Sequence, residues 1–309
     1  KSKDKDGKEL LKGIAIPTCI TVNEVLGYFS PLEEDDYIIQ AGDIVKIEAG
    51  VHVDGYSAIG STTMIYQHDG SINNKSNLIK ATYEAAQAAI RLLKVDKLNH
   101  DITDVIAKVA EDFNVYPVHG VLSHQVRKEL IDAENVIINR QDAENKVNDV
   151  IFKSYQVYHV DIVMSTQDAK PKEHETRTTI YKRGNTAEYG LKMKASRQIF
   201  SEIQEVYGLF PFTLNYMRDT KSAKFGVIEC VKAGLIEPLQ VLRQDAGEYV
   251  AKVSFTAIIT PKGAMKVAGL ADLDTNISSD NKVVNKEVVQ LLQTAIIKKK
   301  KKEKKKKKK

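Results

Sequence analysis

The sequence predicts an α+β fold, because strand-like and helical segments alternate without the regular strand–helix–strand order of a parallel sheet. Two β-rich runs, at 155–164 and 249–260, lie far apart in the chain. A hairpin pattern covers 43–58, whereas apolar residues at 76–94 and 102–113 recur with helical spacing. Hairpin signals mixed with amphipathic helices favour a largely antiparallel sheet with helices packed on it.

The first third of the chain is predicted to be mainly strand. A strand-like stretch begins at Gly13, Pro17 interrupts it, and a second β-branched run covers 20–25. The hairpin at 43–58 has Asp54-Gly55 at its turn, a dipeptide that favours two-residue hairpin loops.

The predicted helices follow from apolar periodicity and capping residues. The helix at 76–94 has Asn74 or Ser76 as its expected N-cap, and the helix at 102–113 places its branched residues on one face. Further helices are predicted at 196–207, 221–235 and 285–297.

The composition indicates a folded body with a cationic tail. Of 309 residues, 42% are hydrophobic and 28% are charged, which excludes an intrinsically disordered chain. Residues 298–309 comprise eleven lysines and one glutamate, so the formal charge of +5 conceals a body with a net charge of −5. No uncharged apolar run reaches the about 18 residues of a membrane-spanning helix, so no membrane partner is expected.

The cysteines and the first residue bear on the cellular context. Cys19 and Cys230 have neither the spacing of a disulfide framework nor that of a metal knuckle, which favours a reducing compartment. The sequence begins at Lys1 without a methionine, and we interpret it as part of a longer protein.

Motif searches exclude several enzyme classes. The sequence contains no GxxxxGK[ST] phosphate loop, no GxGxxG fingerprint, no GxSxG elbow and no HExxH zinc helix. His119 and His124 lie five residues apart in a glycine-containing loop and could be a metal pair, although ordinary loop histidines are the simpler interpretation. Neither cysteine has a histidine placed to activate it as a nucleophile.

Several segments resemble one protein family. They are Lys12–Thr18, Tyr28–Leu32, Gly42–Glu48, Arg177–Arg183, Tyr189–Lys194 and Pro211–Leu214. On these segments the chain resembles the proliferation-associated proteins, also called ErbB receptor-binding proteins, which are non-peptidase relatives of type II methionine aminopeptidase. The resemblance implies a single pita-bread (creatinase/methionine aminopeptidase-like) domain over 1–297, with an α/β insert at about 177–243 and a disordered polylysine tail at 298–309. The family's amino-terminal helices are absent from the sequence.

The resemblance also implies where a metal site would lie. Active relatives bind two divalent metals through two aspartates, a histidine and two glutamates, and the metals activate a water for amide hydrolysis. The corresponding positions here are Glu48, Ile59, Val121, Asp161 and Ser254, and the substrate-contacting histidine position is Tyr28. Because apolar side chains cannot ligate a metal and a neutral hydroxyl is a weak ligand, we expect no metal, no cofactor and no catalysis. Rescue of one ligand by His124 is a minor alternative.

A basic segment with interleaved tyrosines is expected to contact RNA, because lysine and arginine bind phosphates and aromatic rings stack on bases. Tyr181 and Tyr189 are the interleaved tyrosines, and an ordinary solvated charged face is the alternative. The candidate RNA-binding residues are Lys170, Lys172, Arg177, Lys182, Arg183, Lys192, Lys194, Arg197, Lys221 and Lys224, together with Lys298, Lys299, Lys300, Lys301 and Lys302 of the tail.

These observations lead to a functional expectation. Family members are similar to the factor at the polypeptide tunnel exit of the large ribosomal subunit, so we expect a non-catalytic monomer that contacts rRNA and tunnel-exit proteins, in ribosome biogenesis or translation regulation. Cytoplasmic and nuclear or nucleolar locations are expected, since lysine runs can act as nuclear addresses. A nuclear or signalling adaptor, or a transcriptional coregulator, that binds other RNA, DNA or protein partners is the first alternative. A residual metallo-aminopeptidase is the second.

Overall fold

The computed structural model describes residues 3, 7, 9–32, 34–184 and 190–297. Within them, runs of strands and pairs of helices follow one another, as in an α+β fold. The strands are β1 (Lys12–Val22), β2 (Ile44–Val53), β3 (Tyr56–Ile65), β4 (Tyr116–Pro117), β5 (Leu122–Val126), β6 (Val136–Ile138), β7 (Val157–Ser165), β8 (Lys172–Glu173), β9 (Ile180–Arg183), β10 (Phe212–Thr213), β11 (Ile236–Leu239), β12 (Leu242–Arg243), β13 (Val250–Thr260) and β14 (Gly263–Gly269). The helices are α1 (Asn74–Leu92), α2 (Asn99–Phe113), α3 (Lys194–Val206), α4 (Thr220–Lys232) and α5 (Lys286–Leu292).

The main sheet joins distant parts of the chain. Its strands are antiparallel in the order β1-β2-β3-β13-β7-β5-β6, while β14 pairs with β13 and β4 pairs with β7. The two β-rich runs of the sequence are therefore neighbouring strands, with β13 between β3 and β7. This arrangement places side chains from the first, middle and last thirds of the chain on one sheet face.

The β2–β3 hairpin confirms the turn signal. Asp54 and Gly55 both have positive φ, at 51° and 82°, as a two-residue turn that follows the twist of the strands requires. From Lys46 onward, buried and exposed positions alternate along β2. The side chains of Lys46, Glu48 and His52 therefore all face the interior. The pairing is regular along the whole hairpin, which fixes which side chains face inward.

Helix α1 packs on β13 and β7, α2 packs on α1, β6 and β4, and together they form the largest hydrophobic core with the main sheet. Ala85, Ala88 and Ala89 of α1 are completely buried, and their small side chains allow close packing. The N-cap of α1 is Asn73, whose side chain accepts hydrogen bonds from the Lys75 and Ser76 backbone amides. The predicted caps, Asn74 and Ser76, lie one and three residues after it. Every helix among the described residues is too short or too polar to cross a bilayer.

A separate small module, defined here as residues 180–239, consists of β9, β10, β11, α3 and α4. Its three strands form their own sheet in the order β10-β9-β11, and the two helices pack against each other. Ile203, Phe212 and Cys230 are completely buried in a core that is distinct from that of the main sheet. The module lies inside the predicted insert of 177–243, whose boundaries stay a prediction.

Two predicted elements differ from the structure. Strand β1 continues through Pro17 with a register shift between Ile16 and Cys19, because it is an edge strand that tolerates a missing N–H. Helix α5 was predicted over 285–297 but ends at Leu292. The chain then extends so that Ile297 forms a β-bridge with Gly263, which removes the last turns from the helix.

Candidate functional site

Four strands of the main sheet bring polar side chains into one row. Glu48 on β2 is opposite Ser61 on β3, Ser61 is opposite Ser254 on β13, and Ser254 is opposite Asp161 on β7. All four side chains are buried. The structure therefore brings together Glu48, Asp161 and Ser254, three of the five positions at which the resemblance placed metal ligands.

Two further residues complete a charged cluster, defined here as Glu48, His159, Asp161 and Lys252. The Lys252 Nζ lies 2.7 Å from Glu48 Oε1 and 3.3 Å from Asp161 Oδ1, so one ammonium bridges both carboxylates. The His159 Nε2 lies 3.6 Å from Asp161 Oδ2 and 4.0 Å from Glu48 Oε1. The Lys252 side chain is only 8% exposed, which makes this a buried ion-pair network.

The charges of the cluster stabilise one another. Burial alone would raise the pKa of Asp161, but the Lys252 ammonium and His159 hold that pKa well below its usual range. Burial would lower the pKa of Lys252, but Asp161 and Glu48 raise it above its ordinary value. Lys252 and Asp161 are therefore both charged at neutral pH.

The other predicted ligand positions bring no donor to the cluster. Ile59 is buried in an apolar contact with Ala15, Ile16 and Phe210. Val121 packs against a second apolar cluster, which includes Val118 and Val163. His124 is not part of the group of possible metal ligands among the described residues, and its Nδ1 lies 3.2 Å from the Ala133 carbonyl oxygen. Rescue of one ligand by His124 stays a prediction.

The residues present do not fit a pair of divalent ions. Oxygen and nitrogen atoms of Glu48, His159 and Asp161 lie within 4.8 Å of one another, a spacing that a single metal could use. The Lys252 ammonium, however, lies within 3.3 Å of both carboxylates, and a positive group there repels a second cation.

Tyr28 is the residue at which the resemblance placed the substrate-contacting histidine. Its backbone is in the left-handed region, with φ of 59°, and its ring centroid lies 5.8 Å from the Lys252 Nζ. Burial raises the pKa of Tyr28 and that of the nearby Cys19 thiol, so both keep their protons at neutral pH. Neither supplies a base or a thiolate nucleophile to the cleft.

Sequence reasoning missed His159 and Lys252. Each lies two residues before an identified position on the same strand, His159 before Asp161 and Lys252 before Ser254. Side chains two residues apart on a strand share a face, so strand alternation was the available signal. The candidate metal pair of His119 and His124 does not form a group with other possible ligands among the described residues. His119 Nδ1 instead lies 2.8 Å from Asp142.

Most of the candidate RNA-binding residues of the body have partners within the protein. Lys172 pairs with Asp245 at 2.6 Å, and Lys182 with Asp132 at 3.0 Å. Further contacts are those of Lys170 with Glu144, Arg177 with Asp35, Lys224 with Glu34, Arg183 with the Phe200 ring, and Arg197 with the Leu191 and Lys192 carbonyls. These contacts reduce the charge that such side chains can offer to a ligand.

Three candidates share the lack of an ion pair and are called here the unpaired group: Lys192, Lys194 and Lys221. All three are exposed, and among the described residues no carboxylate lies within ion-pair distance of their ammonium groups, although Lys221 interacts electrostatically with Asp219 over a longer distance. Lys221 lies at the start of α4, where Arg218 contacts Glu202 and Glu205 near the end of α3, and so it is apart from the other two lysines. Lys192 and Lys194 flank the first turn of α3, where the helix dipole adds positive potential. The tail candidates Lys298 to Lys302, and Tyr189, lie outside the described residues.

Comparisons with known proteins agree with this fold. The model of metallopeptidase family M24 matches residues 4–183. A protein of Arabidopsis thaliana named ErbB-3 binding protein 1 is 41% identical over 84% of this chain and 66% of its own length. The curved DNA-binding protein of Schizosaccharomyces pombe is 36% identical over 94% of this chain and 77% of its own.

Solved structures show the same architecture. A thermophilic Arx1 superposes with a TM-score of 0.85 at 26% identity, over 95% of this chain and 86% of that one. The methionine aminopeptidase of Thermotoga maritima has a TM-score of 0.53 at 17% identity, over 81% and 72%. The fold is therefore the predicted pita-bread fold, and the chain belongs to metallopeptidase family M24. Within that family it is a homologue of the ErbB-3-binding and proliferation-associated proteins.

Proposed function

We propose that this protein is a non-catalytic factor that binds the large ribosomal subunit near the polypeptide tunnel exit, through rRNA and ribosomal proteins, in ribosome biogenesis or translation regulation. The observation that carries the proposal is the unpaired group beside α3 and α4. Exposed ammonium groups without internal partners are free to bind phosphates, whereas paired ones must first break an ion pair. The family resemblance supplies the ribosomal target.

Electrostatic attraction accounts for the mode of binding. Each lysine that neutralises a phosphate releases condensed counterions, so affinity falls as the salt concentration rises. The polylysine tail would add affinity without specificity, and the folded module would supply the specificity. The S. pombe relative is named a DNA-binding protein, which supports a polyanionic partner.

The charged cluster supports the absence of peptidase activity. Hydrolysis by active relatives needs cations that polarise the substrate and activate a water. Here Lys252 supplies a fixed cation that already lies on both carboxylates. An ammonium cannot hold a hydroxide as a metal does, so the cleft is proposed to have a structural role.

The proposal is tested by co-sedimentation with purified large ribosomal subunits at near-physiological salt. We expect the triple variant Lys192→Ala, Lys194→Ala, Lys221→Ala to lose most of the binding. The matched control replaces three paired lysines, Lys170, Lys172 and Lys224, and removes the same charge. A form that ends at Ile297 measures the contribution of the tail.

The possible outcomes separate the hypotheses. Loss of binding in the unpaired variant alone supports a module-directed contact. Equal losses in both triple variants, or dependence on the tail alone, would mean non-specific attraction and contradict the proposal. If nothing sediments, an adaptor or coregulator function takes precedence, which the names of the ErbB-3-binding and DNA-binding relatives favour. Cytoplasmic and nucleolar locations and a monomeric state are part of the same proposal.

A further inference from the structure

Lys252 occupies the centre of a site that otherwise has the donors for a cation. We infer that Lys252 is an internal cation that excludes divalent metals from the cleft, and that Glu48, His159 and Asp161 form a latent site for one divalent transition-metal ion when this ammonium is removed. The inference concerns the cleft alone and does not depend on ribosome binding.

The spacing of the donor atoms suits a single small ion. A tetrahedral ion with ligands at roughly 2.0–2.2 Å holds neighbouring ligand atoms roughly 3.4 Å apart. The His159 Nε2 is already 3.6 Å from Asp161 Oδ2 and 4.0 Å from Glu48 Oε1. All three donor atoms lie within 4.8 Å of one another. Side-chain shifts of about 1 Å would therefore complete a three-ligand set of two carboxylates and an imidazole, which suits Zn²⁺, Mn²⁺ or Co²⁺.

Unused polar atoms in the same row show that the cleft has more acceptors than Lys252 satisfies. Glu48 Oε2 and Ser254 Oγ are buried without a hydrogen-bond partner, and the Glu48 side chain is 95% buried. Ser61 Oγ, between them in the row, is also unpartnered. Buried acceptors normally have partners, so this surplus indicates coordination capacity beyond one ammonium.

Lys252 is held in place by its strand. The Thr63 Oγ1 donates to the Lys252 carbonyl at 2.6 Å and accepts from the Lys252 amide at 2.9 Å. Its side chain is 8% exposed, so the ammonium has no solvent to move into without leaving both carboxylates. A divalent ion would then have to lie beside a fixed positive charge, which prevents binding.

The test is Co²⁺ titration of the full chain, followed by the visible absorption of the bound ion and by equilibrium dialysis. We expect no stoichiometric binding by the natural protein and one Co²⁺ per chain in Lys252→Ala. Adding Asp161→Asn or His159→Ala to that variant should abolish or strongly weaken binding. The matched control is Lys46→Ala, which removes another buried lysine of the same sheet face that bonds only to carbonyl oxygens.

Results that would overturn the inference are equally concrete. The inference is wrong if Lys252→Ala folds but binds no Co²⁺, or if Lys46→Ala binds Co²⁺. It is also wrong if the natural protein binds Co²⁺ stoichiometrically and this binding depends on Glu48. Lys252→Gln keeps a hydrogen-bond donor toward Glu48 and provides a second variant if Lys252→Ala folds poorly. If neither folds without metal, refolding in Co²⁺ decides: recovery that requires Asp161 supports the latent site, and failure to recover contradicts it.

Discussion

The charged cluster of the cleft and the unpaired group on the module use lysine in opposite ways. Lys252 is buried and touches two carboxylates, so its charge is neutralised within the fold. Lys192 and Lys194 are exposed and have no ion-pair partner among the described residues. Buried charges act on the stability of the protein, whereas exposed unpaired charges are available to a partner. The two regions should therefore respond differently to substitution.

The largest effect is expected from Lys252→Met, which leaves two buried carboxylates unpaired. We expect a loss of about 3–5 kcal/mol in the free energy of unfolding, measured by urea denaturation. Glu48→Gln and Asp161→Asn, introduced into the same variant, should restore most of that loss because they remove the uncompensated charge. A loss that persists in the triple variant would mean that Lys252 acts through packing and not through charge.

A cavity in the module should separate the two regions. Phe212 is completely buried in the module core, so Phe212→Ala should cost about 3–5 kcal/mol locally. Hydrogen exchange should then accelerate in α3 and α4 while the amides of β7 and β13 stay protected. Ribosome binding should fall with module stability. Uniform acceleration over the main sheet as well would show that module and sheet unfold together.

The unpaired group should determine the salt dependence of ribosome binding. If each of its three lysines contacts one phosphate, the slope of log affinity against log salt should decrease in magnitude by about 2 in the triple alanine variant. The free energy of unfolding should change by less than about 0.5 kcal/mol per substitution, since these side chains are exposed. An unchanged slope with weaker binding would place the lysines away from phosphates.

Lys46 gives the most specific effect, because it concerns one buried titratable group. Its Nζ donates to the carbonyls of Asn23 and Val250, and burial lowers its pKa to about 7, against a weaker opposing effect of Glu24. Above pH 7 the Lys46 ammonium has lost its proton in the folded state, whereas the unfolded state keeps that proton up to about pH 10.4. The free energy of unfolding should therefore rise with pH in this range, by at most about 1.4 kcal/mol per pH unit. Urea denaturation from pH 7 to 9 should show this rise in the natural protein relative to Lys46→Met. Parallel curves would contradict it.

Strand alternation and helical periodicity predicted the β2–β3 hairpin and helices α1 to α4, because these patterns are local. The pairing of Glu48 with Lys252 was not predictable from the residues, because 204 positions separate them and only the β3–β13 contact brings them together. The ion pairs of the basic residues have the same origin: Lys224 meets Glu34 across 190 positions. Sequence spacing identified cations but could not show which ones the fold neutralises.

The row from Glu48 to Asp161 also has an evolutionary consequence. Restoring a carboxylate at Ser254 or Ile59 would add a negative charge to a buried cluster whose one ammonium already serves two acids. Each single reversal would thus destabilise the protein before any metal could bind, while loss of Lys252 alone would leave two acids uncompensated. Selection against unstable intermediates would oppose each single change, so a two-metal ligand set at these positions would require several substitutions at once.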